Sequence, residues 1–187
     1  MGLWQRWTVC LLIILSIVLA SNSTTFGKGY KGFQLLNPDD CVPLDKKTVL
    51  QLPAEWHKHA DFVKICELKQ KNGQTAKVSI ISVWVQDYYQ TLPSDAPWEK
   101  FPLPLILNER FLQIGRLPEL YPMDQPRELD VYFGKWKSGL PTEIMVDVYN
   151  PAVGGDYYYA PLIWSKTGNV YEMKSGKKER TYGHRPR

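Results

Sequence analysis

The strongest constraint on the fold is a period of two. In Phe62-Val-Lys-Ile-Cys-Glu-Leu-Lys-Gln70, the residues Phe62, Lys64, Cys66 and Leu68 alternate with Val63, Ile65, Glu67 and Lys69. That is the spacing of side chains on the two faces of a strand. Lys71-Asn-Gly-Gln-Thr75 follows, and its Asn72-Gly73 dipeptide accepts the positive φ of a tight hairpin turn. The returning arm, Lys77-Val-Ser-Ile-Ile-Ser-Val-Trp-Val85, is β-branched and nearly continuous in apolar character. Such a run predicts a central strand covered on both faces.

The same grammar recurs downstream. Glu128–Phe133 and Thr142–Tyr149 read as two strands joined through Gly134–Pro141, with Ile144, Val146 and Val148 sharing one face of the second. Pro161–Ser165 and Asn169–Met173 read as a hairpin closed by Lys166-Thr167-Gly168, and Phe111–Gly115 as one more short strand. Helical signals are sparse. Pro53–Asp61 predicts about two turns, with Pro53 at the first helical position. Pro93, Pro97, Pro102, Pro104, Pro118, Pro122 and Pro126 crowd the segment between the two halves. Proline lacks an amide donor, so an ordered extended excursion is expected there. Its apolar content, Trp98 and Phe101 to Leu107, argues against disorder. The sum is an all-β domain of about seven short strands, a β-sandwich-like or partly open barrel, preceded by an N-terminal hydrophobic helix.

That N-terminal segment fixes the expected compartment. Met1–Trp7 carries Arg6 and no acid, Thr8–Ala20 is almost wholly apolar, and polar Ser21–Thr25 follows. This is the layout of a signal peptide, with Val18-Leu19-Ala20 as the small-residue cleavage pattern. The alternative is an uncleaved anchor over residues 4–20, although a full span needs about 20 apolar residues. Both readings export the rest of the chain, to the periplasm or the exterior. The expected organisation is a signal or anchor at 1–20, a flexible leader at 21–32, the β-rich domain at 33–173 and a basic tail at 174–187. Outside the apolar segment only Cys41 and Cys66 remain, and an even pair in an oxidising compartment predicts a disulfide.

Charge is local. The chain is formally +4, but the tail alone contributes +5; without it and Arg6 the body is −2. A tail of this kind reads as solvated and disordered, and nucleic acid is not an expected partner.

Catalytic patterns are thin. His57-Lys-His59 with Asp61 could hold a metal only on a strand, and the stretch reads as a solvated polar turn. No metal or cofactor is expected. Nucleophile-elbow, Ser-x-x-Lys and His-Glu-x-x-His motifs are missing from the sequence. Asp39 and Asp40 read as backbone caps in a turn. Asp87, Asp147 and Asp156 lie near strands and are the candidates for a carboxylate-based hydrolase. Gly154-Gly155-Asp156 lacks the following helix of a phosphate cradle and reads as a bend between strands.

The aromatic residues are the informative excess. An aspartate followed by paired tyrosines occurs twice, at Asp87-Tyr88-Tyr89 and at Asp156-Tyr157-Tyr158-Tyr159. Tyrosine offers large contact area with a polar tip. These five tyrosines, with Trp98, are the candidate binding residues for a rim of the sandwich; half-burial at sheet edges is the competing reading. The expected function is therefore a non-catalytic recognition module that binds a protein partner in the envelope or outside the cell, or a glycan. Two alternatives stand beside it: a membrane-anchored assembly component of the cell envelope, and the small exported hydrolase.

Overall fold

A computed structural model describes residues 29–83, 101–118, 129–149 and 155–186. The predicted N-terminal helix and about half of the proline-rich excursion lie outside them, and the described part of that excursion, 101–118, contributes two strands of a sheet. The described residues form β1 (Phe33–Leu35), β2 (Val42–Pro43), β3 (Val63–Lys69), β4 (Thr75–Val83), β5 (Leu105–Asn108) and β6 (Gln113–Arg116). They continue through β7 (Leu129–Lys137), β8 (Leu140–Val148), β9 (Tyr157–Tyr159), β10 (Leu162–Ser165), β11 (Val170–Met173) and β12 (Arg180–Tyr182). A short α-helix, α1 (Lys46–Val49), and a 3-10 helix at Ala54–His59 precede β3. The fold is all-β, two antiparallel sheets, with twelve strands among the described residues where about seven were expected. Several of the extra ones, β1, β2, β5 and β12, are only two to four residues long and carry no readable period.

Sheet II runs in chain order, β2-β3-β4-β5-β6. The β3–β4 hairpin forms as its pattern requires, and Gly73 adopts φ +84 at the turn. The turn differs from the tightest form. The Gly73 amide donates to Gln70 O at 2.8 Å and Asn72 Oδ1 accepts from the Gln74 amide at 3.0 Å, so only the glycine is left-handed. A disulfide joins Cys41 to Cys66 and fixes the chain ahead of β2 to the middle of β3.

Sheet I has β1-β7-β8-β10-β11 as its main path, with β9 beside β8 and β12 beside β9. The arms of β7 and β8 are longer than their sequence pattern indicates. Residues 134–141 continue both strands, and Ser138 (φ +51) and Gly139 (φ +79) alone make the turn. Two consecutive positive φ values match the right-handed twist of the flanking strands. Pro141 sits near the start of β8, where its missing amide matters least, and its carbonyl accepts the buried Tyr171 hydroxyl at 2.6 Å. Between the pairs Tyr158–Asp147 and Leu162–Ile144, three residues on one side face two on β8. Ala160-Pro161 therefore forms a bulge that separates β9 from β10. Residues 174–179 loop out opposite it, pinned by Lys174 N–H to Pro161 O and Ala160 N–H to Glu179 O, both 2.9 Å.

The sheets face each other across one apolar core. Cys66, Leu68, Val78, Ile80 and Ile106 of sheet II meet Val131, Phe133, Ile144, Val146 and Leu162 of sheet I. A second cluster covers the other face of sheet II. There Val63, Ile81, Val83, Leu105 and Leu107 pack under Val49, Leu52 and Trp56. β4 is therefore buried on both faces, as its continuous apolar run predicts.

Candidate functional site

The outer face of sheet I is closed by polar groups drawn from both ends of the described chain. Along β7, β8, β9 and β12, Asp130, Asp147, Tyr158 and Thr181 lie directly opposite one another in register. Two aspartates side by side repel unless each finds a partner. Asp147 is the buried one, with a side chain 6% exposed, and Arg185 reaches it from the tail. Arg185 Nε donates to Asp147 Oδ1 at 2.7 Å, and its Nη2 donates to Tyr159 O at 2.7 Å and to Val146 O at 3.3 Å. The guanidinium carbon lies 4.6 Å from the centroid of the Tyr158 ring. Tyr30, from the leader, donates its hydroxyl to Asp147 Oδ2 at 2.5 Å, and its ring meets Tyr132 edge-on at 4.8 Å. Tyr132 in turn donates to Asp130 Oδ2 at 2.7 Å.

The environment tunes these hydroxyls. Burial raises the pKa of Tyr30, and donation to the Asp147 carboxylate raises it further. Tyr132 is raised by the same two causes, with Asp130 as its acceptor. Tyr171 is raised by burial. All three stay protonated past the ordinary tyrosine range.

What places Tyr30 and Arg185 here is backbone pairing. Tyr30 is delivered by β1, which lies on β7 with Phe33 opposite Gly134. A Cβ at Gly134 would stand 2.3 Å from Gly32 O, so only glycine lets the leader lie down. Arg185 is delivered by β12, whose Thr181 faces Tyr158, and by the Gly183 amide on Asp156 O at 2.7 Å. The tail expected to be disordered is thus a strand followed by an anchored arginine. The end of the leader expected to be flexible is likewise held.

The expected site residues separate under this geometry. Tyr157 and Tyr159 are buried in the core between the sheets, deeper than the half-burial at sheet edges that was the alternative to a binding rim. Tyr158 faces outward and is half-buried, stacked on Arg185. Tyr88, Tyr89 and Trp98 lie outside the described residues, as does Asp87. Asp156 Oδ2 is 3.2 Å from His184 Nε2, and Asp147 is held by Arg185 and Tyr30. The His57–Asp61 stretch is not a solvated turn. His59 is buried with its ring 5.1 Å from that of Phe101, His57 Nε2 lies 2.9 Å from Leu52 O, and Asp61 pairs with Lys46 at 2.6 Å. Among the described residues no group of three His, Cys, Asp or Glu side chains could hold a metal. At residues 37–40 the capping group is Asn37, whose Oδ1 accepts the Asp39 amide at 3.2 Å, rather than either aspartate. Gly155 has φ +92, as a bend there requires. Among the described residues no helix is long and apolar enough to cross a membrane.

A second feature escaped the sequence reading. Among the described residues β6 ends sheet II and β11 ends the main path of sheet I, and the two meet beside a cleft of about 560 Å³. Ile114, Leu117, Leu162, Val170 and Tyr171 give it an apolar lining, with Arg116 and Glu179 also on its wall. Gly115 brings the edges together, since a Cβ there would lie 3.0 Å from Tyr171 Cβ. The β5–β6 turn leads into this cleft with Phe111 at φ +58 and Leu112 58% exposed. Asn108 Oδ1 holds that turn by accepting from the Arg110 and Leu112 amides at 2.9 and 3.1 Å. A left-handed phenylalanine costs about 1–3 kcal/mol and persists where its surroundings over-determine it. No protein-family model, curated protein or solved structure matches the chain.

Proposed function

We propose that the protein is an exported, non-catalytic recognition module that binds a protein partner along the β6–β11 edge. The observation that supports this reading is the cleft of mixed polar and apolar lining between two strand edges, with exposed Met173 on its wall and exposed Leu112 just before Gln113, which lines it. A strand edge offers a row of N–H and C=O groups to an extended segment, and the adjoining pocket selects its side chains. On this reading the contact surface moves from the tyrosine rim to the sheet edge, because Tyr157 and Tyr159 are consumed by the core.

A photo-crosslinking amino acid placed at Met173, Leu112 or, as a control, Leu50 tests it. Leu50 is also exposed but belongs to the cover of sheet II. Crosslinks to one protein from positions 173 and 112, absent from position 50 and removed by Val170→Glu at a partly buried position, are expected. Equal crosslinking from all three positions, or none from 173 and 112, contradicts the reading.

A further inference from the structure

The outer face of sheet I contains, we infer, a guanidinium-binding site that Arg185 fills in cis and that an arginine of a protein partner can fill in trans. Every group that receives the guanidinium belongs to the sheet. The Asp147 carboxylate and Val146 carbonyl come from β8, and the Tyr159 carbonyl and Tyr158 ring from β9. Only the arginine itself comes from the chain end. The groups that receive the guanidinium thus come from outside the tail, and they match the fork of an arginine, with three oxygen acceptors and an aromatic face at 4.6 Å. A compact ammonium would satisfy the carboxylate but not the two carbonyls and the ring together.

Beyond the contacts of Arg185 itself, few described bonds hold the end of the chain. β12 ends at Tyr182, and beyond it the tail is tied by the Gly183 amide on Asp156 O, the exposed His184–Asp156 pair and the Arg185 contacts. Simple release would leave the Asp147 charge buried and unpaired, which folded proteins avoid. Replacement of one guanidinium by another leaves no such charge. The chemistry therefore favours exchange of occupants over an empty site.

The test uses the full chain carrying Arg185→Ala and follows its melting temperature with millimolar N-ethylguanidinium or ethylammonium. Expected is a dose-dependent rise in Tm with ethylguanidinium that exceeds the response to ethylammonium. The difference disappears in Asp147→Asn/Arg185→Ala. A fluorescent arginine-containing peptide should likewise bind Arg185→Ala at least tenfold more tightly than it binds wild type. Where Arg185→Ala does not fold alone, the same comparison is read as the yield of refolded protein. Equal responses to the two cations, an unchanged response in the double variant, or no recovery with ethylguanidinium overturns the inference.

Discussion

The two sheets solve one problem in two chemistries. Each has an outer face to cover. Sheet II uses Val49, Leu52 and Trp56 over Ile81, Val83, Leu105 and Leu107, all apolar. Sheet I uses Tyr30 and Arg185 over Asp147, Tyr132 and Tyr158. An apolar cover tolerates imprecision, because burial is non-directional and scales with area. A polar cover demands geometry, because a buried charge without its partner costs more than the pair gains. The first is a stabilising layer. The second holds the two described ends of the chain against the sheet and depends on one ion pair.

The largest effect should come from giving sheet II the group that sheet I tolerates. Val83→Asp places a carboxylate in the apolar cover with no arginine to meet it. Loss of soluble, folded protein is expected, since an uncompensated buried charge costs several kcal/mol. Normal expression and melting would show that the two covers are not chemically distinct. Next in size is Trp56→Ala, which empties the centre of the same layer. A destabilisation of about 3–5 kcal/mol by denaturant unfolding is expected for a buried tryptophan. A loss under 1 kcal/mol would mean that the α1 and 3-10 segment merely rests on the sheet.

The smallest effect lies in the polar cover and is a matter of pH. The folded pKa values of Tyr30 and Tyr132 are raised above that of the unfolded chain. Between the two values the folded state binds more protons than the unfolded one, so stability falls as pH rises there. The stabilisation is complete below about pH 10, the ordinary tyrosine value, and is lost above it. Tyr30→Phe should lower stability at pH 8 by about 1.5–3 kcal/mol, the range for a hydrogen bond to a charged group, and flatten the alkaline decline. An ultraviolet titration in which all tyrosines ionise near pH 10 without unfolding would contradict this.

How far the sequence revealed this arrangement depends on which residues carry it. β3 and β4 are legible because Phe62–Gln70 alternates and Asn72-Gly73 marks the turn. The double burial of β4 is legible from its unbroken apolar run. The length of β7 and β8 was obscured by Gly134 and Pro141, two residues that usually end strands. Here the glycine admits β1 and the proline sits near a strand start. The Ser138-Gly139 dipeptide was the available signal for the real turn. The tyrosine run at 157–159 showed correctly that two rings share a face; period alone cannot say that this face is the inner one. The polar cover was least legible. Tyr30 and Arg185 lie 117 and 38 residues from Asp147 in the chain, and no local pattern ties an isolated arginine in a basic tail to one aspartate.

The central claim is that the Asp147–Arg185 pair closes the outer face of sheet I. A double-mutant cycle with Asp147→Asn, Arg185→Ala and both together, read as unfolding free energy at pH 7, tests it most directly. Arg185→Ala alone should cost about 3–5 kcal/mol, because it leaves the buried aspartate uncompensated, and Asp147→Asn should restore much of that loss in the double variant. Additive effects, or an Arg185→Ala loss of less than 0.5 kcal/mol as for an ordinary surface pair, would contradict the account and return the tail to solvent.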